Sequence, residues 1–189
     1  MRYIAATHSE AWVMDMETGA RRRVLPAEGD TTTRAAHFVG GWTSDGRGLY
    51  VASDRASEFR ELMRFDLGSG ELTRLTAHIP WDVSEGDAAA GDGSARTPLA
   101  LIVNVDGRDE LRLLDRDTGR ERPVPPVPAL AGGSVTRARF HRTSGELALV
   151  RMSTQGPGQV MSLDLASGRA ETWTRATAPP GLDLGRMPE

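Results

Sequence analysis

Four aspartates form the most regular chemistry-bearing pattern in this chain: Asp15, Asp66, Asp115 and Asp164, spaced 51, 49 and 49 residues apart. Carboxylates can ligate a metal ion or move protons, so a recurring acid invites both readings. Each one, however, closes a short apolar run and is followed by Thr-Gly or Ser-Gly: Thr18-Gly19, Ser69-Gly70, Thr118-Gly119 and Ser167-Gly168. An aspartate there caps a turn by accepting backbone N–H groups. Carboxylates on separate units about fifty residues apart do not converge on one ion. The four are therefore expected to be structural turn residues.

The other chemistry-bearing residues are sparse. His8, His37, His78 and His141 form no His-x-His or His-Glu-x-x-His pair, so no metal site is expected. The acid-rich stretch Asp82 to Asp92 lacks the order of a calcium loop and reads as a flexible insertion. Arg21-Arg22-Arg23 opens an outer strand, where a charge run marks a solvated or edge-protecting face. Trp12, Trp42, Trp81 and Trp173 read as core or inter-unit packing.

Composition removes several function classes. The 189 residues contain no cysteine, which excludes disulfides, thiolate catalysis and Cys-type zinc sites. Every basic residue is arginine, so neither a P-loop nor Schiff-base chemistry is available. A net charge of −3 argues against a nucleic-acid partner. No apolar run reaches the ~20 residues needed to cross a bilayer, so no membrane partner is expected. The first residues lack the apolar stretch of a signal peptide, which leans toward the cytoplasm without fixing the compartment. No cofactor is implied.

The elements that must position these residues follow from the repeat. In the second unit, Ala35 to Trp42, Arg47 to Ser53, Glu61 to Leu67 and Glu71 to Thr76 read as four strands, with Ser44-Asp45-Gly46 and Gly68-Ser69-Gly70 as turns. Pro98 to Asn104 and Glu110 to Asp115 repeat the middle strands in unit three. Glu146 to Arg151, Gln159 to Asp164 and Arg169 to Thr174 do so in unit four. Arg2 to Ala6 matches a second strand, so unit one lacks its first. A fixed period of this length with four antiparallel strands predicts an all-β fold, a partial β-propeller of three complete four-stranded blades and one incomplete blade. Kelch blades are disfavoured, because Gly40-Gly41 and Gly132-Gly133 fall at different phases of the repeat. The blades span 1–174 in units of about 1–34, 35–80, 81–133 and 134–174, and 175–189 reads as a linker-like tail.

Register columns carry further expectations. Residues one before, three before and one after each aspartate share a strand face. In unit three that face holds Arg112 and Arg116, so its third strand should be more exposed. With no neighbour, unit one should leave Tyr3, Ile4, Trp12 and Met14 uncovered, and unit four should leave Met161, Leu163 and Leu165 uncovered. The isolated chain is then expected to be marginal, associating through both ends.

Three stretches resemble the propeller of the prolyl oligopeptidase (S9) serine peptidase family: Trp42 to Arg55, Leu72 to Thr76 running on to Ile79-Pro80-Trp81-Asp82-Val83, and Asn104-Val105-Asp106-Gly107-Arg108. The strand–Asp–turn units also occur in TolB-type and other WD40-like propellers. The resemblance implies a propeller that gates oligopeptides into a Ser-His-Asp site on a neighbouring α/β-hydrolase domain, with that domain and a peptide as partners. No Gly-x-Ser-x-Gly occurs here, so the chain itself is expected to be non-catalytic. The alternative is a non-enzymatic protein-interaction scaffold. Loops between second and third strands would face the substrate, which singles out Asp54, Arg55 and Glu58 in unit two and Asn104, Asp106 and Arg108 in unit three. Arg55 could clamp a peptide carboxylate or carbonyl, or simply pair with Glu58.

Overall fold

The computed structural model describes residues 1–87, 97–141, 143–154, 156–174 and 181. Among these residues fifteen strands form four antiparallel sheets, one of three strands and three of four. The first sheet holds β1 (Arg2–Ala5), β2 (His8–Met14) and β3 (Arg21–Leu25). The second holds β4 (His37–Trp42), β5 (Gly48–Ser53), β6 (Glu61–Asp66) and β7 (Leu72–Arg74). The third holds β8 (Asp82–Asp87), β9 (Leu99–Val105), β10 (Arg108–Leu114) and β11 (Glu121–Arg122). The fourth holds β12 (Ser134–Phe140), β13 (Leu147–Ser153), β14 (Gly156–Leu163) and β15 (Ala170–Thr172). Strand order follows chain order in every sheet, which is the meander of a propeller blade. Among the described residues the one helical element is the 3-10 turn Pro128–Leu130.

The chain divides into two compact units, Met1–Val83 and Ser84–Glu189. In the first, the facing sides of sheets one and two bury Ala11, Val24, Leu25, Leu49, Val51 and Phe65 against each other. In the second, Ala100, Ile102, Leu111 and Leu113 of sheet three meet Val135, Ala138, Phe140, Leu147, Leu149, Met161 and Leu163 of sheet four. The strands are rich in branched and aromatic residues, and period two sends alternate ones into these seams. Leu49↔Phe65 and Leu147↔Leu163 are cross-strand partners at equivalent places in two sheets, so the repeat holds in register as well as in sequence.

Several expectations need correction. Met161 and Leu163 are buried, not uncovered, because their face meets sheet three. The open face of sheet four is the other one, carrying Val160 at 40% and Trp173 at 64% exposure. Sheet one does expose Tyr3, Ile4, Trp12 and Met14. The third strand of unit three is not more exposed: Leu114 and Arg116 are buried, and Arg116 Nε donates to the Thr97 carbonyl at 2.5 Å. Arg112 lies between Glu110 and Glu121, which accept from its two terminal nitrogens, while its Nε has no partner among the described residues. Asp82 to Asp87 is a strand rather than a flexible insertion, while residues 88–92 lie outside the described residues, as does nearly all of the tail 175–189. The tryptophans are not core either. Trp12, Trp42 and Trp173 are exposed, and the half-buried Trp81 packs on Phe59.

Candidate functional site

The repeated aspartates do what turn chemistry requires. Asp15 Oδ1 accepts the N–H groups of Glu17 and Thr18, and Asp66, Asp115 and Asp164 repeat the arrangement. These bonds, that from Thr18 first, hold the Asp15 carboxyl below its usual range. The N–H of Ser69 does the same for Asp66, and that of Ser167 for Asp164. The guanidinium of Arg122 dominates at Asp115. In each turn the glycine after the Thr or Ser has a positive φ, 72° at Gly19 and 75° at Gly70, which is why that position is glycine. Among the described residues no three acidic or histidine side chains group as a metal site would need.

The loops between second and third strands do share an end of their sheets with the connections between sheets. In the first unit, Ala36 N donates to Asp54 Oδ1 at 2.8 Å, tying the β3–β4 connection to the β5–β6 loop. Arg60 N donates to Asp82 Oδ1 at 2.7 Å, and Val83 N donates to the Arg60 carbonyl. Asp54 therefore has a structural partner. Arg55 and Glu58 are exposed and form no ion pair with each other, so the pairing considered from sequence is absent. Arg60 instead lies over the Phe38 ring at 4.8 Å.

In the second unit the β9–β10 hairpin turns at Asp106, whose φ of 50° is left-handed, and at Gly107. Asn104 is used internally: its amide donates to Asp109 at 2.8 Å, and its carbonyl oxygen accepts the Gly107 N–H. Asp106 and Arg108 project as exposed charged groups at the tip. Of the six loop residues singled out from sequence, Asp54 and Asn104 thus hold the loops. Arg55, Glu58, Asp106 and Arg108 present their charges to solvent.

Behind the β5–β6 loop lies a buried polar cluster that sequence reading missed. His37 and Ser53 face each other across β4 and β5, with Nδ1 and Oγ 3.0 Å apart. Ser9 Oγ donates to the His37 carbonyl and accepts the His37 N–H. All three residues are sealed from solvent. Burial pushes the His37 imidazole down to about 4, and the Arg55 charge pushes the same way. The residue types are those of a Ser-His-Asp set, but the geometry is not. Asp54 Oδ1 is engaged by the Ala36 N–H, and neither Ser53 nor His37 reaches solvent. The cluster is a fixed neutral network that pins sheet one to sheet two.

A second feature recurs in the first two repeats. Glu10 and Glu61 sit five residues before their aspartates, and Arg23 and Arg74 sit eight after. Both pairs bond across the sheet, Arg23 to Glu10 at 3.2 Å and Arg74 to Glu61 through two bonds. Glu10 and Glu61 are buried, and each carboxyl is held low: Glu10 first by the Trp12 indole, Glu61 first by Arg74.

No protein-family model matches the chain, and no curated protein matches it. Solved structures do. A prolyl endopeptidase aligns with 88% of this chain at a TM-score of 0.68 and 13% identity, the aligned part being 23% of that protein. TolB from Acinetobacter baumannii aligns with 91% at a TM-score of 0.61 and 16% identity, covering 38% of its chain. A puromycin hydrolase aligns with 85% at a TM-score of 0.57 and 24% identity, covering 23% of its chain. The chain therefore spans between about a quarter and two fifths of the structures it matches. It has the propeller fold that these proteins share.

Proposed function

We propose that this chain is the propeller portion of an S9-type serine peptidase, restricting entry of oligopeptides to a Ser-His-Asp site carried by a neighbouring α/β-hydrolase domain. The observation that carries the reading is the alignment of most of the chain with under a quarter of a prolyl endopeptidase and of a puromycin hydrolase. The propeller-like stretches Trp42 to Arg55 and Asn104 to Arg108 fall on the loop-bearing hairpins described above. The exposed charges of Arg55, Glu58, Asp106 and Arg108 are the groups on those hairpins free to meet a peptide. Residues 1–189 hold no Gly-x-Ser-x-Gly; the His37–Ser53 pair is sealed, and the exposed His141–Ser144 contact joins residues three apart within one turn. They are accordingly a gate and not a catalyst.

A second reading, a non-enzymatic interaction scaffold, is favoured by the alignment of 91% of the chain with TolB. A fluorophosphonate probe separates the two when applied to residues 1–189 and to the complete gene product. The peptidase reading expects no labelling of the former and one labelled serine, in a Gly-x-Ser-x-Gly, in the latter. A complete product that the probe leaves unlabelled favours the scaffold.

A further inference from the structure

Within the first unit, sheets one and two leave between them a cleft of about 500 Å3, and of its lining the peptidase reading uses Arg55 alone. Its floor is apolar, formed by the buried side chains of Leu25, Met63 and Phe65 with the half-buried Leu72. Arginines stand along it. Arg23 and Arg74 are already neutralised by the buried carboxylates of Glu10 and Glu61. Among the described residues Arg22 and Arg55, both exposed, have no carboxylate partner, and Arg22 makes only one long bond, 3.4 Å, to the Leu67 carbonyl. Among the described residues the one carboxylate on the lining is Glu28, and it has no ion-pair partner there. The two walls come from β3 and β7, the edge strands of their sheets.

Each of these features asks something different of an occupant. An edge strand accepts an extended backbone, an apolar floor accepts an aliphatic or aromatic side chain, and an unpaired guanidinium with its fork of donors accepts a carboxylate. We infer that this cleft binds an extended peptide segment in which a carboxylate lies beside an apolar side chain, with Arg22 and Arg55 on the carboxylate and the Leu25–Phe65 floor under the apolar group. The charge balance is favourable but not large: two unpaired arginines against Glu28. Neutralising Glu28 should therefore tighten binding, whereas reversing either arginine should weaken it. The cleft lies between the first two sheets alone, so the inference holds whether the chain serves a peptidase or a scaffold.

Fluorescence anisotropy of three labelled peptides with the 189-residue chain tests it. The first is Gly-Ser-Leu-Asp-Leu-Ser-Gly with an amidated end, whose carboxylate is on a side chain. The second, Gly-Ser-Gly-Ser-Leu-Asn-Leu with a free carboxyl end, carries its one carboxylate on a leucine. The third has Asn and an amidated end, and so carries no carboxylate. Binding of the first or the second at least about tenfold tighter than the third is expected, and which of the two wins tells a side-chain from a terminal carboxylate. Arg22→Glu and Arg55→Glu should each weaken the tighter peptide by about tenfold, Glu28→Gln should strengthen it, and added salt should weaken it. Arg22→Gln and Arg55→Gln, milder changes at exposed positions, should follow the same order with circular dichroism unchanged. Equal binding of all three peptides, no binding of any, or indifference of folded Arg22 and Arg55 variants would overturn the inference.

Discussion

His37 makes a sharp pH prediction. Its ring is sealed between sheets one and two, with Ser53 on Nδ1, Nε2 without a partner, and Arg55, Asp54 and His8 as the charged or titratable groups felt around it. The imidazole stays neutral in the fold down to about pH 4, whereas the unfolded chain protonates it near 6.5. Between those values the unfolded state binds a proton that the folded state refuses, so stability is complete above pH 6.5 and falls as the pH drops. Each pH unit costs about 1.4 kcal/mol, and the gap of about 2.5 units gives about 3 kcal/mol in all. That is a large part of the ~5–15 kcal/mol that holds a domain together. The hydrogen-bonded carboxylates Asp15, Asp66 and Asp164 act in the same direction but at lower pH, below their ordinary value of 3.8. The assay is urea unfolding in steps from pH 7.5 to pH 4.5 for the wild type and His37→Asn, which keeps a polar group near Ser53 and cannot titrate. The wild type should lose about 2–3 kcal/mol over that range, and the variant should be nearly flat. Identical slopes would refute the reasoning, because the proton would then be taken up somewhere other than His37.

Other substitutions probe the seams. Leu163→Ala should cost about 2–5 kcal/mol in a denaturant melt, while Val160→Ala on the open face of the same strand should cost well under 1 kcal/mol; equal costs would mean the two faces are misassigned. Glu61→Ala removes a buried acceptor but leaves Arg74 able to turn to water, so a loss of about 1–2 kcal/mol is expected, reduced in high salt. Gly48→Ala should destabilise by about 1–3 kcal/mol although the Gly48 backbone suits alanine, because a Cβ there would collide with the Phe65 carbonyl; a neutral or stabilising result in a thermal melt would show that β5 and β6 can part to admit it.

Period and turn chemistry made the blades legible. The aspartates, the Ser/Thr-Gly pairs and the alternating apolar runs are local signals, and β5, β6, β9, β10, β13 and β14 lie where those signals put them. What the sequence concealed depends on which way a face points. Period two groups Met161 with Leu163 but does not say whether the neighbour on that side precedes or follows, so the face expected to be open in sheet four is the one that sheet three covers. Arginine is usually a surface residue, yet Arg116 is buried, with Nε on the Thr97 carbonyl and Nη2 without a partner among the described residues. The Ser9–His37–Ser53 network joins residues 28 and 16 positions apart, with no spacing that announces it. The Glu–Arg pairs were visible in principle, at constant offsets from the aspartates, but only in columns lying outside the apolar ones.

The central claim is that these blades gate a serine peptidase that they do not themselves contain. Its most direct test is activity of the complete gene product against a short chromogenic peptide and a folded protein, before and after fluorophosphonate labelling. The account predicts cleavage of the short peptide alone, abolished by label on one serine in a Gly-x-Ser-x-Gly outside residues 1–189. Label on a serine within those residues, or a complete product with no reactive serine and no peptide cleavage, would contradict it.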